Sequence, residues 1–157
     1  MKNKSNDLYK KIIARNKKAS YNYSLEETFE AGIVLLGSEV KSLREGSVSI
    51  QDSYASLKKN EIFLLNLYIA PYNQASIFNH DTKRVRKLLL CRKEIKKIIG
   101  KIKLKGYSLI PISIYFNHKN FVKLDIALGK GKKNYDKRQD IKQKDWSRQK
   151  AKTTKYT

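Results

Sequence analysis

Residues 107–128 read YSLIPISIYFNHKNFVKLDIAL and carry the strongest fold signal in the chain. Two runs of β-branched and aromatic residues, Tyr107–Phe116 and Phe121–Leu128, flank the polar segment Asn117–Asn120. The pattern predicts an antiparallel hairpin, with Pro111 at a sheet edge or a bulge because proline has no N–H to donate. Alternation predicts one apolar face on each strand, formed by Ile110, Ile112, Ile114 and Phe116 and by Val122, Leu124, Ile126 and Leu128.

Further strands are predicted upstream of this hairpin. Tyr21–Leu36 mixes aromatic and β-branched residues and is typical of a long strand, bent at Gly32. Ser53–Lys58 and Glu61–Ile69 are predicted to form a second hairpin around Lys59-Asn60, a pair in which asparagine tolerates a positive φ. Alternation in the later strand predicts a shared face for Phe63, Leu65, Leu67 and Ile69.

Helical patterns occur in two places. Ser38 is predicted to cap a short helix that Gly46 ends. A longer helix is predicted from Val85 to Ile102, where apolar residues recur at helical spacing between arginines and lysines, with a possible break near Cys91. Residues 1–20 are basic and mostly polar, which indicates an arm or a short helix.

Strands that come as hairpins, without regular βαβ repeats, exclude a doubly wound sheet. Five or six strands with two or three flanking helices best fit a mainly β fold, a small closed antiparallel barrel of the oligonucleotide-binding type. The length of 157 residues suits one ordinary domain. We expect a domain at 1–128, with its basic arm at 1–20, followed by a separate basic tail at 129–157.

The charge of the chain indicates its kind of partner. Thirty-five lysines and arginines against fourteen acidic residues give a net charge of +21. Such a chain binds polyanions, either nucleic acid or an anionic membrane face. The tail has nine lysines and two arginines against three aspartates, a net +8. It has too few apolar groups to offset the entropy of ordering, so we expect it to be disordered when free.

Two interpretations of the tail remain open from composition: a solvated basic terminus, or a segment that folds when RNA neutralises it. The single tryptophan, Trp146, favours the second.

The single cysteine, Cys91, cannot form an internal disulfide and has no activating partner nearby in sequence, which predicts a reducing, cytoplasmic location and an unreactive thiol. The apolar runs are too short to span a bilayer.

No residue pattern indicates catalysis. His80 and His118 lie in different predicted loops without a third ligand at metal-binding spacing, and both are predicted to be solvated. Glu26 and Glu30 share a strand face but have no metal ligands beside them. The segment Gly129–Lys133 lacks the glycine spacing and the hydroxyl residue of a phosphate-binding loop. We therefore expect a non-enzyme without a metal site or cofactor.

A series of motifs runs through the chain in a fixed order. They read FEAGIVL (29–35), GSEVKSLR (37–44), DSYA (52–55), RKLLL with RKEI (86–95) and GKGKKNYDKR (129–138). The series, which extends from about Ile12 to Trp146, resembles the hallmark motifs of the SsrA-binding protein family, also called small protein B. One such string has little specificity, but all of them in this order leave little room for another family.

The resemblance implies a non-catalytic protein that binds the tRNA-like domain of transfer-messenger RNA (tmRNA, or SsrA). It implies one protein per tmRNA, delivered to stalled ribosomes for trans-translation, peptide tagging and ribosome rescue. The barrel would hold the tRNA-like domain near its elbow. The tail would probe the decoding centre and the empty mRNA channel, against small-subunit rRNA, and become helical there.

The resemblance also implies two sets of RNA-binding residues. The set for tmRNA comprises Asn16, Lys17, Glu30, Leu89 and Cys91. The set for the ribosome comprises Lys130, Gly131, Lys132, Lys133, Tyr135, Asp136, Lys137, Arg138, Ile141 and Trp146. Cys91 departs from the family pattern, in which histidine or asparagine is frequent, so a polar contact there is in question. Tyr135 stands where some members have histidine, and either ring can stack on a base.

A structural or assembly-associated ribosomal protein is the alternative that charge, size and a basic extension allow. Stoichiometric recovery with salt-washed subunits would favour it over a rescue factor. A nuclease on a barrel fold lacks an acid–base or metal set. Membrane-surface binding lacks an amphipathic basic helix with a broad apolar face.

Overall fold

The structure is a computed structural model that describes residues 10–75, 77–104 and 106–153. Over these residues the chain is mainly β with flanking helices. The strands are β1 (Lys11–Arg15), β2 (Tyr23–Ile33), β3 (Val48–Ser49), β4 (Tyr54–Lys58), β5 (Glu61–Leu65), β6 (Tyr68–Ile69), β7 (Arg86–Leu89), β8 (Tyr107–Phe116) and β9 (Val122–Gly131). The helices are α1 (Ala19–Asn22), α2 (Gly37–Arg44), α3 (Arg92–Ile102) and α4 (Asn134–Thr153).

Seven strands form one antiparallel sheet in the order β1-β8-β4-β5-β7-β2-β9, and β9 also pairs with β8. β3 and β6 form a separate two-stranded sheet. The inner face of the large sheet carries the apolar core, to which β2, β5, β7, β8 and β9 all contribute. Residues 1–9 of the region predicted as an arm or a short helix lie outside the described residues. Lys11–Arg15 forms a strand on β8, and the short helix α1 begins only at Ala19.

The hairpin of β8 and β9 confirms the strongest sequence prediction. Asn117 makes the turn, because its Oδ1 accepts hydrogen bonds from the N–H groups of Lys119 and Phe121 at 3.0 and 2.9 Å. The predicted face of β9 lies in or against the core. The predicted face of β8 is partly wrong, because a bulge between Pro111 and Ser113 shifts the alternation by one residue. The core therefore takes Leu109, Ile114 and Phe116 from β8.

The β4–β5 hairpin is also confirmed, with Lys59 and Asn60 both at positive φ (48° and 60°). Such a pair makes a turn whose twist matches the two strands. The predicted single face of Glu61–Ile69 is wrong, because Asn66 has a φ of 56° and interrupts the strand. The alternation changes phase there, and the core takes Ile62 and Leu64 before Asn66 but Leu67 and Ile69 after it.

The helix predicted from Val85 is wrong in its first part and right in its second. Arg86–Leu89 forms β7, which lies between β5 and β2, and α3 begins after Cys91, at the possible break. Three consecutive leucines show neither the alternation of a strand nor the spacing of a helix, so the pattern cannot distinguish the two. The long strand predicted from Tyr21 to Leu36 forms as β2 over Tyr23–Ile33, but its first predicted residues belong to α1. The register of β2 against β9 shifts between Leu25 and Glu27.

A buried ion-pair network holds α2 against β7. Glu39 of α2 accepts hydrogen bonds from the backbone N–H of Leu36 (2.7 Å), from Arg84 (2.7 Å) and from Arg86 (2.8 Å). Glu39 thus accepts a hydrogen bond from the backbone N–H of Leu36 at the start of the helix. Ser38 was predicted to act as the cap. Arg86 is fully buried and also donates to the carbonyl of Leu67 at 2.7 Å.

Two loop features complete this side of the molecule. Gly46 follows α2 with a φ of 78°, as predicted for a residue that ends a helix. The prediction of a solvated His80 is wrong. Its ring is buried and lies 2.9 Å from the Ser38 hydroxyl and 3.2 Å from the carbonyl of Ile69. His80 thus joins α2 to β6.

β9 runs through the predicted domain boundary after Leu128 and ends at Gly131. Gly129 is buried so closely against β2 that an added Cβ would lie 2.9 Å from the carbonyl oxygen of Ser24. The twenty-residue helix α4 then follows, with no buried side chain. Among the described residues, no helix is long and apolar enough to cross a membrane.

Candidate nucleic-acid interface

Three strands bring polar side chains together on the outer face of the sheet. Glu30 of β2 lies opposite Asp125 of β9 in the ladder, and Asp125 lies opposite Ser113 of β8. The residues on both sides of Glu30 and of Asp125 belong to the core, so alternation directs the two carboxylates outward. The outer face therefore presents acidic groups on a chain whose net charge is +21.

Tyr115 joins these carboxylates. Its hydroxyl donates to Oε2 of Glu30 and is 3.2 Å from Oδ1 of Asp125. We call Glu30, Tyr115 and Asp125 the carboxylate–tyrosine cluster. The hydroxyl of Ser113 donates to Oδ2 of Asp125 at 3.2 Å, and Nζ of Lys10 lies 3.5 Å from the same oxygen. Nζ of Lys10 is also 4.5 Å from the centre of the Tyr115 ring.

Burial and the neighbouring carboxylates raise the pKa of Tyr115 well above its usual value. Burial contributes most, followed by the hydrogen bond to Glu30 and the negative charge of Asp125. All of these disfavour a phenolate. Tyr115 therefore keeps its proton and acts as a hydrogen-bond donor to the cluster.

Asn16 and Lys17 lie beside the cluster, at the end of β1. A groove of about 520 Å³ is lined by Asn16, Lys17 and Asp125 together with Arg15 and other residues. Nδ2 of Asn16 donates to the carbonyl of Pro111 at 3.1 Å, and its Oδ1 accepts from the N–H of Lys18 at 3.2 Å. Asn16 thus shapes this corner of the backbone, whereas Lys17 is exposed.

Leu89 and Cys91 extend the same surface towards α3. Leu89 lies opposite Gly32 of β2, is 51% exposed, and has core residue Leu88 beside it, so its side chain points outward like that of Glu30. A Cβ on Gly32 would lie 3.2 Å from Cβ of Leu89, so glycine makes room for this side chain. Cys91 is exposed at the start of α3, and its backbone N–H donates to Glu94 at 3.0 Å.

The residues predicted for the ribosome lie at the end of β9 and on α4. Lys130 and Gly131 belong to β9, and Lys132 and Lys133 connect it to α4. Lys132 holds α4 to the body, because its Nζ donates to Asp140 and, at 2.9 Å, to the carbonyl of Ser20 in α1. The three large apolar or aromatic groups of the helix are exposed: Tyr135 (69%), Ile141 (44%) and Trp146 (62%).

The charged residues of the tail motif are also on the surface. Asp136 lies in the first turn of α4, where a negative charge is favourable. Nζ of Lys137 is 5.8 Å from the centre of the Tyr21 ring, so it contacts the body, whereas Arg138 is exposed. Nζ of Lys150 is 4.8 Å from the centre of the Trp146 ring.

Sequence reasoning did not identify a second groove, of about 810 Å³. Asn16, Tyr23, Tyr54 and Tyr107 line it along with other residues. Nζ of Lys130 lies 4.6 Å from the centre of the Tyr107 ring. The abundance of tyrosine was visible in the sequence, but sorting exposed rings from packed ones requires the register of the strands. This groove links the end of β1 to the base of the tail.

Among residues 10–75, 77–104 and 106–153, no three His, Cys, Asp or Glu side chains are placed to hold a metal ion. The fold and its charge define a small, strongly basic, mainly β protein. The chain matches the family model "SmpB protein" over residues 13–156, and it belongs to that family.

Individual relatives agree with this membership. The chain is 62% identical over 140 residues to the SsrA-binding protein of Rickettsia canadensis (strain McKiel), covering 89% of this chain and 92% of that protein. It is 59% identical over 143 residues to the SsrA-binding protein of Orientia tsutsugamushi (strain Ikeda), covering 91% and 94%. A chain of the solved structure described as "tmRNA-SmpB: a journey to the center of the bacterial ribosome" is 45% identical, with a TM-score of 0.64 over 77% of this chain and 85% of that one.

Proposed function

We propose that this protein binds the tRNA-like domain of tmRNA and delivers it to stalled ribosomes for trans-translation, without catalysing a reaction itself. The observation that carries the proposal is the high identity to SsrA-binding proteins over nine-tenths of the chain. The outer face adds physical support, because Glu30 and Leu89 share it and the groove of Asn16 and Lys17 adjoins it.

The body fits this task as a closed barrel of the oligonucleotide-binding type. Six strands are each hydrogen-bonded to the next from β8 through β4, β5, β7 and β2 to β9, and β9 pairs with β8. Such a circuit has no free edge between its members. A rigid wall of this kind can hold a preformed RNA shape through contacts with its backbone, riboses and unpaired bases.

The outer face and the groove beside it offer four kinds of RNA contact. Lys17 supplies positive charge for phosphates. Leu89 offers an apolar surface against a ribose or a base. Glu30 can accept hydrogen bonds only from donors such as base amino groups or ribose hydroxyls. Cys91, exposed at the start of α3, is a weak donor there.

The tail is proposed to act at the ribosome rather than on tmRNA. Residues 129–157 carry a net +8, so filling an empty mRNA channel would neutralise them against small-subunit rRNA. α4 buries no side chain, and helices in proteins owe most of their stability to the packing of an apolar face. We propose that the free tail is largely disordered and that the channel stabilises the helix. If message fills the channel, volume and competition for phosphates exclude the tail.

Contacts within α4 are too weak to hold it alone. Asp145 and Arg148 lie 4.0 Å apart on exposed turns of the helix. Pairs with this spacing stabilise a helix by about 0.2–0.5 kcal/mol each. Ordering a segment on binding costs about 2–5 kcal/mol of the gross interaction energy. Ribosomal RNA must therefore supply most of the free energy of ordering, which would make tail binding selective for a vacant channel.

Recovery of bound RNA tests the function. The full-length chain, purified from lysate under native conditions, is expected to retain one enriched RNA with a tRNA-like domain. Sequencing of the bound RNA measures this enrichment against total RNA. Stoichiometric recovery with salt-washed ribosomal subunits, independent of tmRNA, would instead support the alternative of a structural ribosomal protein.

Trp146 provides a separate test of the tail. Trp146→Ala is expected to leave tmRNA affinity unchanged and to weaken function at the ribosome. Stacking between a base and an aromatic ring contributes about 1–3 kcal/mol. Gel-shift titration with tmRNA and a tagging assay on a message without a stop codon measure the two effects. Gln149→Ala, an exposed change on the same helix, is the control, and normal tagging by Trp146→Ala would remove this ring from the ribosome site.

A further inference from the structure

We propose that Tyr115 is a positioning residue for RNA recognition: its hydroxyl holds Oε2 of Glu30, so that the other carboxylate oxygen faces the RNA in a fixed direction. The inference rests on the proposed function and names a part of the site that the motifs did not single out. Tyr115 acts through Glu30 and has no direct contact with RNA, because it is fully buried.

The position of Tyr115 in the sheet carries the first step. Its chain neighbours Ile114 and Phe116 both belong to the core. Alternation therefore points Tyr115 to the outer face, where an aromatic ring would ordinarily be exposed. It is nevertheless 0% exposed, since Lys10 lies over the ring and the two carboxylates lie at its hydroxyl. The side chains of Lys10, Glu30 and Asp125 therefore cover Tyr115, and its hydroxyl contacts both carboxylates.

The second step concerns repulsion between the carboxylates. Glu30 and Asp125 occupy directly opposite positions on neighbouring strands, and like charges so placed repel. The hydroxyl of Tyr115 lies between them, while Ser113 and Lys10 hold the far oxygen of Asp125. Asp125 is thereby fixed by three groups. Among the described residues, the Tyr115 hydroxyl is the hydrogen-bond donor to the exposed Glu30 side chain. Without that hydroxyl, Glu30 would rotate away from Asp125.

The third step is the kind of ligand that this arrangement selects. A carboxylate in a fixed place repels phosphate and accepts hydrogen bonds from amino groups of unpaired bases or from 2′-hydroxyls. Attraction between lysine or arginine and phosphate cannot distinguish one RNA from another, because it acts on any phosphate backbone. Tyr115 would therefore contribute to discrimination between folded tmRNA and other RNA more than to affinity for RNA in general.

The test compares two RNAs and a cycle of variants. Tyr115→Phe keeps the ring and removes the hydroxyl; we expect about a tenfold loss of affinity for the isolated tRNA-like domain, the effect of one hydrogen bond to a charged group. Affinity for an unrelated RNA of equal length should not change. Glu30→Ala should cause at least as large a loss, and the double variant should lose no more than Glu30→Ala, because Tyr115 acts only through Glu30.

Two further variants keep the test decisive. Tyr72→Phe is the control, since its hydroxyl also donates to a side-chain oxygen, that of Gln74 at 2.9 Å, outside the cluster and outside the grooves. It should bind the tRNA-like domain like the unaltered chain. Glu30→Asp keeps the charge on an exposed site but shortens the side chain away from Tyr115; it should lose affinity about tenfold even if Tyr115→Phe fails to fold.

Three outcomes would overturn the inference. These are equal losses for both RNAs, additive losses in the double variant, or unchanged binding by Glu30→Asp. Failure of the unaltered chain to bind the tRNA-like domain would instead overturn the proposed function. A thermal melt of each variant separates a loss of fold from a loss of recognition.

Discussion

A chain that ends at Lys133 is expected to bind tmRNA with unchanged affinity and to tag no peptides on stalled ribosomes. The truncation removes α4 and the residues after it, which carry six lysines and two arginines against three aspartates. It leaves the core intact, because α4 contributes no buried side chain. Gel-shift titration with tmRNA and a tagging assay on a message without a stop codon measure the two activities. Equal loss of both would contradict the division of labour between body and tail.

A second truncation shows why the end point matters. A chain that ends at Leu128 also loses the last residues of β9, which pair with Tyr23, Ser24 and Leu25 of β2. Gly129 is buried against that strand and against β8. This shorter chain is expected to melt at a lower temperature and to lose tmRNA binding through damage to the sheet. A cut at the boundary expected from composition would therefore confuse a folding defect with a function of the tail.

Local chemistry explains which parts of the fold were predictable. The turns at Lys59-Asn60 and at Asn117–Asn120 depend on residues adjacent in the chain, and both hairpins were predicted correctly. The predicted assignment of side chains to the two faces of a strand was wrong where one residue interrupts the alternation. This happens at Asn66 and at the bulge between Pro111 and Ser113. A one-residue shift exchanges the two faces of a strand. Pro111 did predict an edge or a bulge. Which residues face the core on each side of a shift, however, depends on pairing with a distant strand, and the sequence alone does not show that pairing.

The same reasoning applies to the candidate site. The motifs pointed to Glu30 and Leu89, and the structure places both on the outer face. They did not point to Tyr115, whose hydroxyl meets a carboxylate 85 positions away in the chain. His80 was taken as a solvated loop residue for a similar reason, since its partner Ser38 lies 42 positions earlier. Partners at such separations become visible only when register and topology are known.

Arg86 illustrates a functional-looking motif with a structural role. It opens the RKLLL motif and carries a positive charge, both of which suggest RNA contact. Instead it is fully buried and donates to Glu39 and to three backbone carbonyls, those of Leu67, Thr82 and Arg84. A basic residue in a basic protein is therefore not evidence of RNA contact by itself.

Glu39→Gln is expected to lower the free energy of unfolding by about 3–5 kcal/mol, because it leaves buried Arg86 without its negative partner. Denaturant titration at neutral pH measures the change. Glu94→Gln is a matched control. Glu94 accepts from the N–H of Cys91 at the start of α3, as Glu39 does from Leu36 at the start of α2, but Glu94 is only half-buried. The control should lose about 1 kcal/mol, the usual contribution of a helix cap.

The pH dependence of stability provides a second test of the Glu39 ion-pair network. Burial alone would raise the pKa of Glu39, but hydrogen bonds from Arg84 and Leu36 and the charge of Arg86 hold it below its usual value. A carboxyl whose folded pKa is depressed stabilises the protein above its unfolded pKa and loses that contribution as pH falls through the folded one. Stability of the unaltered chain should therefore fall below about pH 4.5, and Glu39→Gln should remove this part of the acid dependence. Parallel acid titration curves for the two proteins would show that Glu39 is not the group responsible.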